Sequence, residues 1–253
     1  MKTYLILFLL LTACSTQKIT NSDIKKSASF SESLIDHKYF KISYDQNRRL
    51  ARYVIYQMSA EQLSHKVASR EDKFIADPLL KSRNIPYVLP SEYVRSGYDR
   101  GHLAPSADFT WSQEANDMTF VMSNMAPQSK NLNRDAWRRL EDKVRKWACG
   151  EKLVTVITGP VLVDNLPRLP SGLEIPQEFF KVVIDETPPV KVVAFLYHQT
   201  DKGDVLEERM IPLNSIEKMT GMAFNKEFPQ IMKDEKLRRP ASLNEWKEAD
   251  CTK

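Results

Sequence analysis

At 253 residues, with 42% hydrophobic and 28% charged residues, the chain has the composition of a soluble globular protein with a sizeable core, which excludes a wholly disordered chain. Thirty-seven basic against 33 acidic residues leave a formal charge of only +4. That balance fits a polyanionic partner without requiring one, so function must be read from motifs.

The first element is apolar. Lys2 precedes Tyr4-Leu5-Ile6-Leu7-Phe8-Leu9-Leu10-Leu11, a run too short for the ~20 residues that span a bilayer. A basic start, an apolar stretch and small residues at its end predict an export signal over 1–13. Leu11-Thr12-Ala13-Cys14 resembles the bacterial lipobox, which implies acylation of Cys14. The expected product is an exported membrane lipoprotein facing the periplasm or the cell exterior, anchored stably only if it carries two or more acyl chains. Plain secretion with Cys14 incidental, or an uncleaved anchor, are the alternatives. Residues 14–36, rich in Ser, Thr, Asn and Lys as far as Ser33, read as a flexible stem, and 37–253 as one domain. Cys149 and Cys251 form an even pair; a disulfide and two buried thiols are both open readings.

Aromatic and β-branched runs at Tyr39–Tyr44 and Leu50–Tyr56 flank polar Asp45-Gln46-Asn47 and predict a hairpin. Asp77-Pro78 and Ile85-Pro86 punctuate an irregular stretch up to Tyr98. Ser112 is a plausible cap for a short helix over Gln113–Met118, with a strand predicted at Thr119–Ser123. Asn131–Trp147 is the clearest helix: Trp137, Leu140, Val144 and Trp147 recur at spacings of three and four. Its polar face carries six basic and three acidic residues between Arg134 and Lys146, a candidate backbone track for nucleic acid. Strands follow at Leu153–Thr158, Phe179–Ile184 and Val190–Tyr197. Strands and helices without regular βαβ alternation predict an α+β fold.

Of four histidines, His37 and His65 stand in polar stretches read as exposed, and His198 closes a strand; none is a catalytic candidate. His102 lies in Asp99-Arg100-Gly101-His102, where an acid, a guanidinium and an imidazole surround a glycine that allows a tight turn. Phosphodiester hydrolysis needs a base near neutral pKa and cations for transition-state charge. A surface turn with a local ion pair is the alternative for the string alone.

Downstream lie Asn124-Met125-Ala126-Pro127-Gln128, then Asn133-Arg134, Trp137 and Glu141. With Thr158-Gly159-Pro160, Phe180-Lys181-Val182-Val183 and Thr220-Gly221-Met222, these make the chain resemble the DNA/RNA non-specific endonuclease family from about Lys38 to Trp246. The resemblance implies a ββα-metal fold with a central, mainly antiparallel sheet flanked by helices. It implies cleavage of DNA and RNA without sequence preference, leaving 5′-phosphate ends. His102 would be the general base, and activity would fall below about pH 6 as it protonates. Asn133 would be the sole protein ligand of one Mg²⁺, with Mn²⁺ as a substitute, and Glu141 would hold a water of that ion. Asn133, Trp137 and Glu141, spaced by four, would share one helix face. Arg100 and Arg70 would clamp phosphate, and Arg134 and Arg138 would contact substrate. Asp99 would position Arg100 or a metal water, and Asn124 would support the scaffold; a purely structural role is the alternative for both. A monomer and a homodimer are both compatible with the sequence. The rivals are a catalytically silent nucleic-acid-binding lipoprotein and a phosphodiesterase for another substrate.

Overall fold

The hairpin forms where alternation places it: β2 (Lys41–Asp45) pairs antiparallel with β3 (Leu50–Ser59), and Asp45 closes the turn by accepting from the Asn47 and Arg48 backbones at 3.0 Å each. Outside β2 lies β1 (Glu32–Asp36). The computed structural model describes residues 32–224 and 242–251, within one unit that runs over Ser31–Lys253. The export signal, Cys14 and most of the predicted stem lie outside the described residues. The stem's last five residues are β1; Ile35 is buried in the core while Leu34 faces solvent, which ties the strand to the sheet.

Next come α1 (Ala60–Ser64), α2 (Pro78–Ser82) and β4 (Asp99–His102). Helix α3 (Gln113–Met118) starts as predicted, with Ser112 accepting from the Ala115 N–H. The strand predicted at Thr119–Ser123 is replaced by a single bridge, Val121 to Ile75, and a 3₁₀ turn at Met122–Asn124. A short apolar run is buried whichever way its backbone goes, so its hydrophobicity misled. The strand arrives later, as β5 (Met125–Gln128), paired with β4. His37 also differs from expectation: it is buried, with Nε2 2.9 Å from Asp77 Oδ2, an oxygen that also accepts from Ser123 Oγ.

A π-helical turn, Leu132–Ala136, leads into α4 (Trp137–Glu151), followed by β6 (Leu153–Pro160), β7 (Glu178–Asp185), β8 (Lys191–His198) and α5 (Leu213–Thr220). The main sheet runs β1-β2-β3-β6-β7-β8 with every pair antiparallel. Period-2 alternation divides β7 between two faces. Phe179 and Val183 join Trp137, Leu140, Val144 and Trp147 of α4, while Phe180, Val182 and Ile184 pack with Leu213 and Ile216 of α5. The fold is α+β, as the sequence implies. Helix α4 thereby presses one face into the sheet and holds its N-terminal end beside β4.

Cys149 and Cys251 are bonded, with Cα atoms 5.3 Å apart, which settles the alternative left open by the sequence. The tail crosses α4 so closely that a Cβ on Gly150 would lie 2.1 Å from the Lys247 carbonyl oxygen.

Candidate active site

Strand β4 sets Asp99 opposite Gln128 and His102 opposite Met125. Gly101 is needed here for space rather than for a turn: it lies in the strand, and an added Cβ would sit 2.1 Å from Gln128 Oε1. Beyond His102 the chain is clamped by Asn124, whose Oδ1 accepts from Ala104 N at 2.9 Å while Nδ2 donates to the Ala104 and Thr119 carbonyls. Asn124 is wholly buried, consistent with a scaffold role, and does not line the cavity described below.

His102 is 8% exposed and lies against Phe120 and Phe74, at 5.0 and 5.8 Å between ring centroids. Nε2 is sealed from solvent with no hydrogen-bond partner among the described residues. Burial, and then the charge of Arg70, push the imidazole down to about 3, against a smaller opposing pull from Asp72. The near-neutral pKa expected from the sequence therefore does not hold in the free protein.

The second element is the π turn. A wider turn breaks the 100° step of an α-helix, and such insertions occur often at functional sites. Trp137 is fully buried in the core, while Asn133 and Glu141 line the cavity. Asn133 Nδ2 donates to Asp99 Oδ2 at 3.0 Å. Its Oδ1 accepts no hydrogen bond among the described residues. Arg134 grips the same carboxylate with two bonds of 2.7 Å. Against the cost of burial, these donors hold the Asp99 carboxyl below the usual range. Asp99 thus positions Asn133 and Arg134, not Arg100.

Arg100 donates to the Pro90 carbonyl and stacks 4.8 Å from the Phe74 centroid, and it makes no ion pair among the described residues. Arg70 is tethered to Asp72 and Ser106, and Arg138 to Asp142. On the helix face Arg139 pairs with Asp135, Lys143 with Glu248 and Arg145 with Asp108. The expected basic track is therefore largely neutralised by partners. Glu141 is partly buried, which raises its carboxyl against the pull of Lys181 and Arg145. Lys181 itself is buried, its ammonium 4.7 Å from the Trp137 ring centroid and without a hydrogen-bond partner among the described residues.

Arg70, Asp99, Arg100, His102, Asn133, Arg134, Arg138 and Glu141 all wall one cavity of about 600 Å³. Five arginines face four carboxylates around it. Sequence reasoning missed Asp72 and Phe74 in this wall, which lie in an irregular stretch with no periodic signal, and it placed Arg145 only in the basic helix face. No group of three His, Cys, Asp or Glu side chains that could hold a metal occurs among the described residues. The donors at hand are the Asn133 amide oxygen and nearby carboxylates. Such a set suits a hard cation that keeps most of its water, as Mg²⁺ does, and not a softer ion that needs a full protein cage.

The profile of the DNA/RNA non-specific endonuclease family matches residues 20–231. Human mitochondrial endonuclease G is 32% identical over 203 residues, which cover 73% of this chain and 67% of the relative. The mitochondrial nuclease of Saccharomyces cerevisiae is 30% identical over 223 residues, 79% and 68% of the two chains. A nuclease from a Nostoc species is 37% identical over 145 residues, 57% and 52% of the two. In a crystal structure of an EndoG/EndoGI complex, one chain superposes with a TM-score of 0.66 at 26% identity, covering 76% of this chain and 84% of that one. This chain is a nuclease and belongs to the DNA/RNA non-specific endonuclease family.

Proposed function

We propose that the chain is a Mg²⁺-dependent endonuclease that hydrolyses phosphodiester bonds of DNA and RNA without sequence preference and leaves 5′-phosphate ends. The observation that carries this reading is that His102 and Asn133 wall the same cavity. With Nε2 buried, Nδ1 of the neutral ring is the nitrogen left to take a proton from the attacking water. Arg100, over Phe74 and free of any carboxylate partner among the described residues, binds the phosphate, and Arg70, over Phe120, assists. Asn133 Oδ1 would hold the cation, with Glu141 as acceptor for its waters. What Mg²⁺ supplies when bound is positive charge beside the phosphate and the leaving 3′-oxygen. Backbone contacts of this kind position a strand without reading its bases, which accounts for low specificity.

The same reading includes export and lipidation at Cys14. The Cys149–Cys251 bridge supports the export part of it, because stable disulfides belong to oxidising compartments.

The test is incubation of supercoiled plasmid, single-stranded DNA and RNA with the protein in Mg²⁺ or EDTA. Cleavage of all three in Mg²⁺ alone, with 5′-phosphate termini, is the expected result. Binding without cleavage would indicate a silent nucleic-acid-binding protein, and no action on any polymer would point to another phosphodiester.

A further inference from the structure

Phe74 and Phe120 meet edge to face, 5.2 Å between centroids at 79°. His102 rests against both rings, at 5.8 and 5.0 Å. The same rings carry two guanidiniums: Arg100 lies 4.8 Å from the Phe74 centroid and Arg70 5.4 Å from that of Phe120. Three separate pieces of chain therefore meet on one aromatic pair. The backbones of the two phenylalanine segments are also joined, since Ile75 N donates to the Phe120 carbonyl at 3.2 Å and Met122 N to the Ile75 carbonyl at 2.9 Å.

We propose that Phe74 and Phe120 are positioning residues, a ring pair that fixes the His102 imidazole at a set distance from the Arg70 and Arg100 guanidiniums. The proposal rests on His102 being the base. Phenyl rings neither give nor take protons, so they make no bond in the reaction. Their faces attract guanidinium groups, and the imidazole packs perpendicular to Phe120 and tilted against Phe74, so the three polar groups share one seat. They also strip water from the imidazole. Arg70 is exposed and otherwise held by Asp72 and Ser106, so its seat on Phe120 is the contact that ties it to His102.

Phe74 is only partly buried, so Phe74→Leu keeps apolar volume, removes the aromatic face and leaves the core intact. Kinetics on a defined DNA duplex and the His102 titration followed by NMR on histidine-labelled protein give independent readouts. In Phe74→Leu, kcat is expected to fall about tenfold to a hundredfold with KM unchanged, as for a small misplacement of reacting groups. The imidazole should titrate about one pH unit or more higher as water reaches it. Phe74→Tyr should restore both. Wild-type kcat in Phe74→Leu, a change confined to KM, or a loss that Phe74→Tyr does not repair would overturn the proposal. If His102→Ala cleaved like wild type, the base reading would fail instead, and the NMR titration would still report whether the rings seat the imidazole.

Discussion

Asp99 Oδ2 accepts from Asn133 Nδ2 at 3.0 Å and from Arg134 Nε at 2.7 Å, so the strand that carries His102 also fixes the amide proposed to hold the cation. Base and amide are thereby indexed to each other through one carboxylate. Replacing it by an amide breaks the two-pronged Arg134 contact and lets Asn133 rotate. Asp99→Asn should raise the Mg²⁺ concentration for half-maximal cleavage by about tenfold, the usual scale for losing a partner of a metal ligand. A Mg²⁺ titration of plasmid cleavage checks this; an unmoved midpoint would count against it.

The pH profile follows from the environment of His102. A base must be neutral, and burial followed by Arg70 holds the ring neutral down to about 3. The acid limb of the rate should lie below the pH 6 expected from an ordinary histidine. Removing Arg70 removes a charge that repels the protonated ring, so Arg70→Ala should move that limb to higher pH. A limb that stays put, or moves down, would contradict the assigned cause.

The same shift has a sign for stability. Between 6.5 and about 3 the unfolded histidine is protonated and the native one is not, so stability falls as pH drops through that window. His102→Ala should make the acid-side loss of stability shallower in urea melts run at pH 7 and pH 4.5.

Gly101 lies where any side chain would strike Gln128. Gly101→Ala should cost about 1–3 kcal/mol by overpacking and displace β4, lowering activity. Gln128→Ala in the same chain should return part of both, and a double-mutant cycle on stability and rate measures the coupling.

Much of this was legible beforehand. The hairpin, the Ser112-capped helix, the Trp137–Trp147 stripe and the last three strands follow from local periodicity. Cavity residues fixed by linked motifs, such as His102, Asn133, Glu141 and Arg100, were also found. What was not legible depends on contacts distant in sequence. The pairing of β3 with β6, the burial of His37 on Asp77 and the partnership of Asp99 with Arg134 have no local signature. The π turn escaped because its sequence is as helical as its neighbours, and Phe74 because irregular chain offers no period to read.

The disulfide closes a loop with a separation of 102 residues at the C-terminal end of α4, and neither cysteine lines the cavity. Cys251→Ser should lower unfolding free energy by about 2–4 kcal/mol while leaving the initial cleavage rate unchanged at 25 °C. Urea denaturation beside rate measurements separates the two.

The assignment of His102 is tested most directly by the single-turnover cleavage rate of His102→Ala on a defined duplex in saturating Mg²⁺. Removal of the general base should slow the reaction by about 10²–10⁴-fold at neutral pH, with the substrate still bound. A folded His102→Ala protein that cuts at the wild-type rate would contradict the account.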